Sequence, residues 1–482
     1  MTMRETNALN VSVLEQLPPL RTAQVQADLE AELAQSSHKV VVLDDDPTGV
    51  QTVHGVPVYT DWTLETLCQA FEEPGRMFFI LTNSRGMTAA DSEAAHREMA
   101  AAIHAAAKAQ NKDYILISRS DSTLRGHYPL ETKTLSDTLR ALGEPPFDGE
   151  IIYPFFKEGG RFTLGNVHYV REGEKLVPAG QTEFARDRTF GYAASDLADW
   201  CEEKSGGSCR AKDVTCISLE SLRALDYETI QAQLMAVQGF GKVIVNSADE
   251  TDVKAFAVAY LRALQAGKRL MLRSAAAVTK VLGGVPDRPL LTRAELVPRE
   301  NCSGGVVLIG SHVNKTTLQM EELRRCRGPL EFIQFDQHLV LQEGGLEGEV
   351  DRVVRLAQQH ISAGRSVVVY TRRDRFDLPD AGPDEQLRVS VRISDAVTSI
   401  IGLLETRPNF IVAKGGITSS DVGTKALKVH RAMVMGQIRP GIPVWMTGPE
   451  SRFPGMPYVI FPGNVGEKQT LREVVELLMG CG

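Results

Sequence analysis

Seven cysteines in 482 residues, at positions 68, 201, 209, 216, 302, 326 and 481, form no C-x-x-C pair. An odd, scattered set of thiols excludes a disulfide framework and fits a reducing, cytoplasmic setting. No apolar run approaches 18 residues, and the first forty residues mix charges with Leu14, Leu17 and Leu20. Neither a membrane span nor an export signal is therefore expected. Positive charge is not in excess either: 53 Lys and Arg stand against 61 Asp and Glu, for a net charge of -8. Without a basic stripe, nucleic acid is not an expected partner, although a few arginines can still bind a small anion locally. Three motifs are also missing. No G-x-G-x-x-G follows the first strand, no H-E-x-x-H is present, and at Gly310 the Walker pattern fails because Asn314, not glycine, precedes Lys315. Dinucleotide, protein-only zinc and P-loop readings fall together, and no metal ligands are assigned.

What is present is an α/β rhythm. A chain of this length exceeds the roughly 250–300 residues at which one core stops growing, so two domains are expected. From Lys39 onward short β-branched runs alternate with helical patterns: strands at 40–43, 78–81, 114–117, 150–153, 214–217, 242–245 and 270–272, and a helix opened by Thr88 three residues before Asp91. Residues 167–170 and 175–177 read as an inserted hairpin. Pro286, Pro289, Pro298 and Gly304-Gly305 mark a boundary near residue 300, after which strands recur at 306–309, 332–335, 366–369, 409–412 and 458–461, with helices at 349–363, 391–405 and 467–479. The expected fold is α/β in two domains, 39–299 and 300–482, each a largely parallel sheet flanked by helices. Residues 1–38 form an extension with helical character at 21–35, which either packs on a partner subunit or drapes over the sheet.

Three strands of the first half end in polar clusters: Asp44-Asp45-Asp46-Pro47-Thr48-Gly49, Thr82-Asn83-Ser84-Arg85-Gly86, and Ser118-Arg119-Ser120-Asp121-Ser122-Thr123-Leu124-Arg125-Gly126. Ligands collect outside the carboxyl ends of parallel strands, so these read as one pocket for a small polyhydroxylated anion. A single such loop is also what a solvated turn looks like, and Arg119, Arg125 and Asp121 could make a structural ion pair. Adjacent carboxylates repel unless cations, a metal or ligand hydroxyls compensate, so at least one of the three aspartates is expected at the cleft. His127 is a local hydrogen-bonding residue or a ligand contact. Lys157, Gly159, Gly160 and Arg161 make a basic glycine turn that either holds a carboxylate or phosphate or is a surface loop.

The second half repeats the device with small residues. Gly310-Ser311-His312-Val313-Asn314-Lys315-Thr316-Thr317, Lys414-Gly415-Gly416-Ile417-Thr418-Ser419-Ser420 and Pro462-Gly463-Asn464-Val465-Gly466 each lie between strand and helix. Glycine admits backbone N–H groups to a ligand and a helix N-terminus favours anions, so three such turns describe a phosphate cradle.

Taken together, these motifs resemble the four-carbon acid sugar kinase family over nearly the whole chain. Asp45-Asp46-Pro47-Thr48-Gly49 matches D-D-x-T-G. Asp121 through Gly126 matches K-x-D-S-T-x-R-G with Arg119 in the lysine position. Pro154, Phe156, Gly160 and Arg161 match P-x-F-x-x-x-G-R, and Thr182 to Asp187 match T-x-F-A-x-D. Gly310-Ser311 and Thr316 fit G-S-x-S-x-x-T with Val313 for the second serine; Gly415-Gly416 and Thr418 fit G-G-[DE]-T with Ile417 for the acid; Pro440 to Pro443 and Gly463-Asn464 with Gly466 fit the remaining motifs.

The resemblance implies an ATP- and Mg2+-dependent kinase acting on the terminal hydroxyl of a threonate, erythronate or oxo-tetronate, with the active site in the cleft between an N-terminal sugar-acid domain and a C-terminal nucleotide domain. Arg119 and Arg125, with Arg85 or Arg161, would hold the carboxylate, and Asp121, Ser122 and Asp46 the hydroxyls, beside Thr123 and Gly126. Asp45 or Asp46 would be the base, Asp121 completing the catalytic set. Ser311, Thr316, Lys414, Gly415, Gly416, Ile417, Thr418, Gly463 and Asn464 would hold nucleotide. The alternative is a binding protein that senses the acid without transfer, or a kinase of another small hydroxy acid. A homo-oligomer is compatible with the sequence.

Overall fold

The computed structural model describes residues 6–297, 302–374, 376, 378, 383–463 and 465–481. The chain divides into two compact units, Met1–Gly49 with Asp61–Pro286, and Val50–Thr60 with Asp287–Gly482. Residues 287–297 join the second unit, ahead of the boundary expected near 300, because Leu291, Leu296 and Val297 are buried in one cluster with Val307, Ile309 and Val412. The segment 50–60 joins it too, since Val56–Tyr59 pairs antiparallel with Arg431–Arg439.

In the first unit seven parallel strands lie in the order Thr215–Ile217, Gly241–Val245, Gly149–Tyr153, Leu270–Ser274, Tyr114–Arg119, Lys39–Asp44, Met77–Leu81. Continuous apolar runs such as Val40–Leu43 and Phe78–Leu81 form these strands because both faces are covered, and every one of those side chains is buried. The chain passes from Lys39–Asp44 to Met77–Leu81 on one side and then to Tyr114–Arg119 on the other. That reversal of direction is a topological switch point, where α/β sheets open a crevice at the carboxyl ends.

The inserted hairpin is real and larger than the sequence implied. Val167–Glu172 pairs with Lys175–Pro178, and Arg161–Leu164 and Leu9–Asn10 complete a four-stranded antiparallel sheet. The N-terminal segment packs on its own unit. Thr22–Gln35 is helical, buries Val25 and Leu29, and is tied down by Glu32 to Arg262 at 2.7 Å and Asp28 to Tyr227 at 2.9 Å.

The second unit has five parallel strands in the order Leu330–Phe335, Ser366–Thr371, Val306–Ile309, Ile411–Lys414, Pro457–Phe461, with a switch point between Val306–Ile309 and Ile411–Lys414. Antiparallel strands Ile442–Thr447, Arg431–Arg439 and Val56–Tyr59 extend it. Arg431–Arg439 alternates half-buried and buried residues, a period-2 signal. Pro440-Gly441 makes its turn, with Gly441 at φ 75° where a side chain would be strained.

Candidate functional site

The switch point of the first unit gathers three polar strand ends. Asp44 closes its strand beside Arg119, whose Nη1 donates to Asp44 Oδ1 at 3.0 Å and to Asp45 Oδ1 at 3.5 Å. Arg85, from the loop after Met77–Leu81, donates its Nη2 to Asp45 Oδ1 at 2.6 Å, its Nε to Asp45 Oδ2 at 3.2 Å and its Nη1 to Asp46 Oδ2 at 3.2 Å. Ser120 Oγ adds a bond to Asp45 Oδ2 at 3.1 Å. Asp45 is thus surrounded by donors on both oxygens. Asp46 accepts one from Arg85 and one from the Thr48 N–H at 2.8 Å, and its side chain is 14% exposed against 3% for Asp45.

The third aspartate, Asp44, was not singled out by sequence, yet it is the unusual one. Its Oδ2 is buried without a hydrogen-bond partner, and it lies so close to Gly49 that a Cβ there would sit 2.0 Å away. This explains the glycine of the D-D-x-T-G motif. Burial, only partly offset by Arg119, pushes Asp44 up to about 7. Burial also acts on Asp46 but is outweighed by Arg85, Thr48 and Arg119, which hold it below the usual carboxylate range.

A pH dependence follows from Asp44. Its folded pKa lies above the ordinary 3.8, so the folded chain retains a proton that the unfolded chain has released. That stabilisation is full below about pH 4 and is lost as pH rises through about 7. Relative to Asp44→Asn, the wild type is expected to lose stability over this window at up to about 1.4 kcal/mol per pH unit in denaturant titrations. A difference independent of pH would contradict the assignment.

The loop 120–126 is sharply folded, with Leu124 at φ 68° and Gly126 at φ 122°. It turns Asp121 onto Arg125 Nε at 2.7 Å and onto the Thr123 hydroxyl. Arg125, with help from Arg85, overcomes the burial penalty and holds Asp121 far below the ordinary carboxylate range. Thr123 is fully buried; Ser122 presents its carbonyl to His168 Nε2 at 2.8 Å. His127 proves local: Nε2 lies 3.1 Å from the carbonyls of both Ser84 and Met87.

Residues beyond the loop complete this face. The guanidinium groups of Arg125 and Arg161 lie over the Phe184 ring at 5.2 and 5.5 Å, and Asp187 stands 3.8 Å from Arg125. Arg161 Nη1 donates to the Gly159 carbonyl, its Nε is buried without a partner, and among the described residues it makes no ion pair. Burial and the neighbouring Arg125 cation lower its pKa, Asp121 opposing them. Arg85, Arg119 and Arg125 are paired to carboxylates; Arg161 is not.

In the second unit the small-residue turns meet at the other switch point. Thr316 Oγ1 lies 3.2 Å from Ser311 Oγ and 3.4 Å from the Gly463 carbonyl. A Cβ on Gly310 would fall 2.3 Å from Thr418 Oγ1, and one on Gly415, at φ 123°, 3.2 Å from Ser311 Cβ. A side chain at Gly310 or Gly415 would therefore collide with or strain these neighbours, while Gly416 opens the helix Gly416–Asp421. Lys414 turns its ammonium to the carbonyls of Pro462 and Gly463, at 2.6 and 3.2 Å. Burial, reinforced by Lys315, lowers it to about 7. Asn464 lies outside the described residues. Arg373, unnoticed in the sequence, reaches the Ser311 carbonyl at 2.7 Å and Thr317 Oγ1 at 2.9 Å, adding a cation to the cradle.

The departures are visible here. Val313 sits at the N-cap of helix Asn314–Leu323 with no side-chain cap, 50% exposed, and Ile417 is 69% exposed. Val313→Ser supplies an acceptor for the first-turn N–H groups. It is expected to stabilise the second unit by about 1 kcal/mol in chemical denaturation, while a neutral result would show that the first turn is capped otherwise.

Among the described residues no group of three or more His, Cys, Asp and Glu could hold a metal ion, and no helix is long and apolar enough to cross a membrane. Residues 40–282 match the family model of a sugar-binding N-terminal domain, and residues 306–471 that of a nucleotide-binding C-terminal domain. The chain belongs to the four-carbon acid sugar kinase family. The polar cluster at 44–126 lies within the first match, and the glycine turns, Arg373 included, within the second.

Two solved structures share the fold over nearly the whole chain. A Haemophilus influenzae protein carrying a domain of unknown function is 16% identical, covering 90% of this chain and 99% of its own, with a TM-score of 0.57. A Salmonella typhimurium LT2 protein with a provisional tRNA synthase label is 17% identical, covering 91% and 98%, with a TM-score of 0.60. At such identity the likeness concerns fold alone. No curated protein matches the chain in sequence.

Proposed function

We propose that this family member is a kinase that transfers the γ-phosphoryl group of ATP to the terminal hydroxyl of a four-carbon sugar acid. The observation that carries the reading is the Arg161 guanidinium, without a carboxylate partner among the described residues, beside Arg125 on the Phe184 ring. Two neighbouring cations, one without a carboxylate, are costly unless an anion joins them, and a guanidinium fork matches a carboxylate bidentately. Arg161 with Arg125 is therefore the carboxylate receptor. Arg85 and Arg119 hold the aspartates in place instead.

Asp121 and Asp46 then serve the hydroxyls. Asp46 is the more accessible carboxylate of the triple and stays ionised through the neutral range, so it accepts the proton of the attacking hydroxyl. Phosphoryl transfer demands mainly position and charge neutralisation. The Gly310, Gly415 and Gly463 turns offer backbone to the phosphates, with Ser311, Thr316, Thr418 and Arg373 around them. Magnesium, where bound, neutralises phosphate charge. The turns offer it hydroxyls and no carboxylate, so nucleotide and water would be its ligands. A cytoplasmic site of action fits the free cysteines.

A sensor that binds acid and nucleotide without transfer is the second reading, favoured by the exposed apolar Val313 and Ile417. ADP release from Mg-ATP with D- and L-threonate, D- and L-erythronate, their oxo derivatives and longer aldonates separates the two. Stereoselective release supports the kinase; acid binding without release supports the sensor.

A further inference from the structure

Arg273 is the penultimate residue of the strand Leu270–Ser274, next to Tyr114–Arg119, and it is 2% exposed. A guanidinium so deeply buried is expensive unless paired. Among the described residues it has no ion pair; its charge rests on aromatic faces, 5.0 Å above the Tyr128 ring and 5.2 Å from that of Trp200. Its Nη2 donates to Ser120 Oγ at 3.1 Å and to the Arg125 carbonyl at 3.4 Å.

Those two bonds decide where one proton goes. Ser120 Oγ has a single hydrogen and two acceptors in reach, Asp45 Oδ2 at 3.1 Å and the Arg125 carbonyl at 3.3 Å. With Arg273 serving the carbonyl and the serine oxygen, the serine hydrogen is free for Asp45. Gly126 is the companion requirement: a Cβ there would stand 2.8 Å from Ser120 Oγ and 3.5 Å from both Arg273 Nη2 and Asp45 Oδ2.

We propose that Arg273 is a positioning residue of the sugar-acid site, acting through Ser120 and the Arg125 carbonyl to fix Asp45 and the 120–126 loop without touching the acid itself. The proposal rests on the sugar-acid reading above. It reaches both ends of that site. Asp45 orients Arg85 and through it Asp46, while the carbonyl of Arg125 sets the start of the side chain that faces the acid's carboxylate.

The test is a double-mutant cycle of Arg273→Met and Ser120→Ala, with Arg273→Lys as the charge-conserving variant. A loop displaced by about 1 Å can cost on the order of 10²-fold, so Arg273→Met is expected to lower kcat/KM for the acid by that much and to leave KM for ATP unchanged. Arg273→Lys should recover only part, since an ammonium lacks the planar fork and the stacking. The double variant should be little worse than Arg273→Met alone, because both changes break one path. Multiplicative losses, or full recovery by lysine, would overturn the proposal. Should the wild type bind an acid, seen as a raised Tm, yet release no ADP, the kinase reading falls and the same cycle is read from acid dissociation constants. A wild type blind to every acid overturns both.

Discussion

Asp46→Asn is expected to lower kcat by roughly 10²–10⁴-fold, the range of a lost general base, with KM for the acid little changed. The choice of Asp46 over its neighbours comes from the donors each already serves. Asp45 receives Arg85 twice, Arg119 and Ser120, and is 3% exposed, so no lone pair is left for a substrate hydroxyl. Asp44 is 2% exposed, with its second oxygen against Gly49. Asp46 is held by Arg85 and Thr48 and has the greatest access of the three. Asp45→Asn should fail differently, through stability, since breaking a buried ion pair costs about 3–5 kcal/mol. Steady-state kinetics beside denaturant titration reads both, and Asp46→Asn turning over within a few-fold of wild type would refute the role.

The second large effect belongs to Arg161. Arg161→Met is expected to raise KM for the sugar acid by about 10²-fold, since charge-assisted bonds contribute about 1.5–3 kcal/mol each. Stability should hold or rise, because the cation removed is desolvated and has no carboxylate partner among the described residues. Arg119→Met, which strips Asp44 and Asp45 of a partner, should be destabilising instead. A polyol of the same length without the carboxylate provides the control, since wild type and Arg161→Met should treat it alike. Equal losses on acid and polyol would show that Arg161 shapes the pocket and does not read the anion.

These assignments mark where sequence stops being readable. Strands at 40–43, 78–81 and 114–117 were legible because a doubly covered parallel strand is a continuous apolar run ending in polar residues. The strand Arg431–Arg439 was not anticipated although it alternates, for its half-buried face carries Met433, Met435 and Gln437 rather than a uniformly polar set. The candidate residues Arg85, Arg119, Asp121 and Arg125 were found as types in loops. Which arginine is neutralised by which aspartate is a matter of tertiary distance, and sequence offers no signal for it. Arg273 lay near a strand end like the others, but a single arginine without a polar run around it carries no local mark; Arg373 stands in the charged run 371–375, which by itself reads as a solvated turn.

The most direct measurement is to incubate the purified protein with Mg-ATP and each acid of the four-carbon panel and to quantify ADP and phosphorylated acid together. The account predicts equal amounts of both for one stereoisomer, with phosphate on the terminal hydroxyl and formed roughly 10²–10⁴-fold more slowly by Asp46→Asn. ADP without a phosphorylated acid, or no ADP while acid and nucleotide both bind, would contradict it.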